Sequence, residues 1–151
     1  MKRISTGLAV AAIAGLGAFA AAASGSGDPG RQASAIRLQG EITGQQLVDN
    51  PPAGESAGDL AVFTEHLSRA GRRIGEMTGS CVLIAPPAQF QCSAVAELPG
   101  GDLALTANVD EGGASKGAIT GGTGGYRRAR GTFAVEPVAE GRERITIRVL
   151  R

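Results

Sequence analysis

Thr78-Gly79-Ser80-Cys81-Val82-Leu83-Ile84-Ala85-Pro86-Pro87-Ala88-Gln89-Phe90-Gln91-Cys92 carries the reading of the fold. Two short runs of strand-forming residues flank a proline pair, and neither proline suits a central strand. A turn at Pro86-Pro87 makes the stretch a β-hairpin. Cys81 stands five positions before Pro86, and Cys92 five after Pro87. A hairpin turning there sets the two cysteines directly opposite, within bonding reach. The expectation is a Cys81–Cys92 disulfide, against the alternative of two buried thiols; it closes a short loop and is worth roughly 2–3 kcal/mol on the loop-entropy model.

Outward from this hairpin the same grammar repeats. Short segments rich in Val, Ile, Leu and Thr are punctuated by Gly, Pro and Asp, with no sustained helical period. Strands are expected near 35–42, 59–68, 73–85, 89–98, 102–109, 115–120, 126–137 and 142–150. The last alternates cleanly, with Ile145, Ile147 and Val149 on one face and Arg144, Thr146 and Arg148 on the other. About eight strands close a barrel just wide enough for one small ligand.

The N-terminus follows a different grammar. Lys2 and Arg3 precede an apolar run from Ile4 to Ala23 that ends in Ala21-Ala22-Ala23. A basic start, an apolar stretch and a small-residue cleavage site make residues 1–23 a secretory signal peptide; the alternative is an uncleaved anchor. Residues 24–34 then form a flexible lead-in, and 35–151 the folded domain. Cleavage takes Lys+Arg from 15 to 13 against 14 Asp+Glu, so the net charge moves from +1 to −1. A near-neutral chain gives no electrostatic reason to expect nucleic acid, or a membrane surface after cleavage. The expected location is secreted, where paired cysteines oxidise.

Three segments in order resemble the plant allene oxide cyclases. Gly58-Asp59-Leu60-Ala61-Val62-Phe63-Thr64-Glu65-His66-Leu67 matches G-D-L-x-x-F-T-x-x-L; Gly79-Ser80-Cys81-Val82-Leu83-Ile84 matches G-x-C-V-L-I; Ala118-Ile119-Thr120-Gly121-Gly122-Thr123-Gly124-Gly125-Tyr126 matches A-I-T-G-G-x-G-x-F/Y. The run from Gly121 to Gly131 also resembles the G-G-T-G-x-F-x-x-A-R-G stretch of dirigent proteins. These resemblances imply an all-β, eight-stranded antiparallel β-barrel with a central apolar cavity. They also imply a cofactor-free cyclase or isomerase acting on a lipid- or polyketide-like substrate. The alternative is a barrel that only carries a small hydrophobic ligand. A homodimer or homotrimer is the assembly they imply.

They also supply site residues. An Asn and a Cys of the family's barrel wall map onto Glu65 and Cys81. The family's middle-strand Tyr falls near Val109, and its first-strand Glu has only Glu41 as a candidate. Glu65 shares a strand face with Ala61, Phe63 and Leu67. Facing the cavity, its carboxyl would be desolvated and would act as a general acid or base; facing outward, it would pair with an arginine such as Arg37. The dirigent Arg corresponds to Arg130, placed on one face of a strand with Tyr126 and Arg128. Inward, Arg130 would bind an enolate or carboxylate; outward, it is a solvated charge. The candidate set is therefore Glu65 and Arg130 for catalysis and Phe63, Leu67 and Tyr126 for substrate contact. His66 is the only histidine, no spacing of metal ligands accompanies it, and it reads as a surface residue.

Overall fold

The computed structural model describes residues 33–87, 89–110 and 114–150. The expected signal peptide, residues 1–23, and most of the expected lead-in lie outside them. Eight antiparallel strands run in sequence order around a closed barrel: β1 (Ala33–Val48), β2 (Leu60–Arg69), β3 (Arg72–Ala85), β4 (Gln89–Leu98), β5 (Gly101–Asp110), β6 (Ser115–Gly122), β7 (Arg130–Ala139) and β8 (Arg142–Leu150). β8 pairs back onto β1, from Ala33↔Leu150 to Glu41↔Arg142. Closure leaves no sheet edge unpaired along that seam.

The Pro86-Pro87 hairpin forms in the expected register, with Cys81 opposite Cys92. The two are disulfide-bonded, with their Cα atoms 4.0 Å apart. β8 shows the expected alternation. Ile145, Ile147 and Val149 are buried, while Arg144 and Arg148 face solvent.

Two segments depart from the sequence reading. β1 continues past Ile42 to Val48, because the register against β2 shifts between Ile42 and Gly44. This bulge absorbs Thr43, whose Oγ1 donates to the Thr64 carbonyl at 3.2 Å. β7 begins at Arg130 rather than Tyr126. Gly124–Tyr126 form one turn of 3₁₀ helix instead, with Gly124 at φ +52. Backbone packs on backbone here: a Cβ on Gly124 would collide with the Gly100 carbonyl. Only glycine fits such a crossing. Tyr126, Arg128 and Arg130 therefore do not share a strand face.

The two ends of the barrel differ. Leu38, Leu67, Leu103, Ile147 and Val149 fill the end beneath the β2–β3, β4–β5 and β6–β7 connections, each at most 2% exposed. Complete burial is worth roughly 1.5–3 kcal/mol for each such side chain. Toward the other end the interior residues become smaller (Ala61, Ala94, Ala107 and Gly117), and the barrel is hollow.

Candidate functional site

The hollow is a cavity of about 220 Å³. Alternation along β2 sends Ala61, Phe63, Glu65 and Leu67 inward, in order of depth. Phe63 and Glu65 line the cavity. Leu67, fully buried, lies below it in the packed end. The disulfide, Met77, Leu105 and Phe133 supply much of the remaining wall, and the exposed Ile42 and Gln45 stand at the rim.

One polar feature interrupts this lining. Glu65 is 4% exposed, and a second carboxyl, Glu143 of β8, enters the same cavity. The two meet across β1. Glu143 pairs with Gly40 and Glu65 pairs with Ile42, so both flank the same short piece of β1 from opposite sides. Gly40 makes room for them. A Cβ built there would lie 2.6 Å from Glu65 Oε2 and 3.0 Å from Glu143 Cγ.

Glu65 Oε2 receives no hydrogen bond from any N–H or O–H among the described residues. The neighbour of the Glu65 side chain is the Glu143 carboxyl, and two carboxyls can bond to each other only if the pair holds a proton. Burial, and then the Glu143 charge, push the Glu65 carboxyl up to about 8. Burial also raises Glu143, opposed by its hydrogen bond to Glu65. Two carboxyls in one desolvated site cannot both ionise cheaply. Glu65 therefore holds its proton up to neutral pH, facing the Glu143 carboxyl. With one proton between them the two carboxyls carry one negative charge, and the pair can both give and take a proton.

The other sequence-derived candidates lie elsewhere. Arg130 is exposed at the start of β7, where its Nη1 donates to the Ala129 carbonyl at 2.7 Å. It is the solvated charge and does not face the cavity. Tyr126 is half-buried in the 3₁₀ turn against the packed end, away from the cavity. Arg37 is exposed on the outer face of β1 and makes no ion pair with Glu65; Glu41 is likewise outward. His66 sits outside, with Nε2 3.6 Å from Glu76 Oε1. The disulfide leaves Cys81 without a thiol. Among the described residues no three His, Cys, Asp or Glu side chains converge as a metal site would require.

Sequence reasoning missed Glu143. The signal was present: Glu143, Ile145, Ile147 and Val149 share one parity, so an acid stands in phase with a core stripe.

No protein-family model matches the chain, and no curated protein matches it in sequence. Solved structures do match. A pyocyanin demethylase superposes with a TM-score of 0.70 at 24% identity, over 77% of this chain and 99% of that one. A cyclase that catalyses a 4 + 2 cycloaddition in neoabyssomicin biosynthesis gives 0.62 at 18%, over 83% and 67%. A pterocarpan synthase dirigent protein gives 0.60 at 17%, over 80% and 84%.

Proposed function

We propose that this dirigent/allene oxide cyclase-like barrel is an exported isomerase or cyclase that moves a proton on a small, largely apolar molecule. The observation that carries the reading is the Glu65–Glu143 pair, a proton-sharing dyad in an otherwise apolar cavity. A wall serving only to carry a hydrophobic ligand gains nothing from one buried and one half-buried acid. Desolvation of such groups costs several kcal/mol.

The chemistry follows from the protonation state. Glu65 holds a proton to give to a basic atom of the substrate, and the Glu143 carboxylate can remove one from another atom. The substrate ends with its original hydrogen count and a shifted bond, which is isomerisation, or cyclisation when the shift closes a ring. The pair then returns to its starting state by passing the proton between its members. The rigid barrel adds a positional contribution, since holding a flexible molecule near its reactive shape can supply several kcal/mol. A cyclase among the similar structures supports the ring-closing form of this reading.

Size sets the substrate class. An apolar cavity of about 150 Å³ holds one benzene ring. At about 220 Å³ the cavity holds one or two rings, so only a segment of a long lipid or polyketide chain would fit. Export is supported by the basic and apolar leader and by a disulfide suited to an oxidising compartment. No helix among the described residues is long and apolar enough to cross a membrane.

The test begins with the compound that co-purifies with the exported protein, identified by native mass spectrometry and extraction. Incubated in deuterated water with wild-type protein, it should return as an isomer carrying deuterium at one carbon. Glu65→Gln should bind the compound and leave it unlabelled. A compound that wild-type protein binds and returns unaltered would make the barrel a carrier.

A further inference from the structure

We propose that the ligand of this cavity carries a protonated nitrogen, seated against the Glu65–Glu143 pair. The inference rests on the reading above and specifies its substrate. Its basis is a pair of carboxyls that forms no ion pair among the described residues. Apart from the two acids, the polar side chains lining the cavity are Gln45, Thr106 and Ser115, and none is basic. The strands that hold the pair are rich in arginine, yet Arg37, Arg142, Arg144 and Arg148 all face solvent. Around Glu65, β1 presents Gly40 and Ile42, β3 presents Met77, and β8 presents Glu143. Only Glu143 among them titrates.

Glu65 thus lines the cavity while 4% exposed, with an Oε2 that no N–H or O–H satisfies. A buried anion without a counter-charge is costly. A neutral apolar guest does nothing to lower that cost, because it brings neither a counter-charge nor a hydrogen-bond donor. A cationic guest supplies the missing charge and N–H donors together. The wall suits it: Phe63 and Phe133 offer ring faces, and Met77 a polarisable sulfur. At about 220 Å³ the cavity admits a one-ring ammonium.

Benzylammonium and its neutral near-isostere benzyl alcohol test this by isothermal titration calorimetry on the mature protein. Wild-type protein should prefer the ammonium by about tenfold or more, the equivalent of ~1.4 kcal/mol. The preference should grow from about pH 6 to about pH 8 as the pair loses its proton. Glu65→Gln and Glu143→Gln should each shrink it. Equal or tighter binding of the alcohol by wild-type protein overturns the inference while leaving the cavity a ligand site. So does an ammonium preference that both variants keep. If neither probe enters wild-type protein, the small-molecule reading falls with it.

Discussion

Raising the pH should destabilise this protein chiefly through one carboxyl, and replacing that carboxyl should remove most of the effect. Glu65 has an ordinary value of 4.5 when the chain is unfolded and about 8 when folded. Between those limits the folded state holds a proton that the unfolded state has released. Stability tied to Glu65 is therefore complete below about 4.5, falls as pH rises toward about 8, and is flat above. At ~1.4 kcal/mol per unit the interval sets a ceiling of about 5 kcal/mol, a large share of the 5–15 kcal/mol typical of a domain. Glu143 is shifted in the same direction and adds to the slope. Asp59 does not interfere. Its carboxyl is held below 3.8 by the backbone N–H groups of Ser56 and Asn50, so its contribution is lost only under more acidic conditions. Glu65→Gln keeps the shape and offers an N–H to Glu143 but cannot titrate. Urea unfolding of the oxidised protein at intervals from about pH 5 to about pH 8.5 is the assay. Wild-type stability should drop by a few kcal/mol across that range, and the variant should keep only the shallower slope that Glu143 contributes and be the more stable protein at the alkaline end. A wild-type curve that is flat or rising, or an equal slope in the variant, would show that the dyad does not hold its proton as argued.

Gly40→Ala should cost about 1–3 kcal/mol by overpacking, since its Cβ would press on both carboxyls; the pH slope should shrink with it in the same unfolding assay. Replacing Cys81 and Cys92 together by Ala should lower stability by about 2–3 kcal/mol, read from urea midpoints against the oxidised wild type, because the crosslink spans only 11 positions. Arg130→Ala should change stability by less than about 0.5 kcal/mol and leave probe binding unaltered by calorimetry, because its guanidinium contacts only the neighbouring Ala129 carbonyl among the described residues.

The architecture was legible because its determinants are local. Proline and glycine mark turns, two cysteines equidistant from Pro86-Pro87 fix a register, and β8 alternates without a fault. Where the reading failed, the decisive contacts are distant in sequence. Tyr126 and Arg127 look like strand residues until Gly124 must pass over Gly100, and that crossing winds the chain into a 3₁₀ turn. That bend takes Tyr126 and Arg128 off the strand face they were expected to share with Arg130. Gly44, Gln45 and Gln46 look like a loop, yet they pair with Thr64, Phe63 and Val62 once Thr43 is bulged out. The site was half visible. Glu65 could be placed on an inward face by parity and by resemblance. Glu143 could be placed in phase with the core, but its partner could not be named, because the pairing of β8 with β1 exists only when the barrel closes.

Closure also explains why the acids sit where they do. At the packed end large apolar side chains fill the barrel. At the level of Gly40, the absent side chain is replaced by two carboxyls reaching in from β2 and β8. If the requirement there were only volume, a leucine on either strand would meet it without the cost of burying a charge, since apolar replacements for buried ionic groups are often neutral or stabilising. The chain instead places a glycine between two acids and opens a cavity above them. That combination sacrifices stability at neutral pH for a poised proton next to an empty volume, which an enzyme can use and a structural wall cannot.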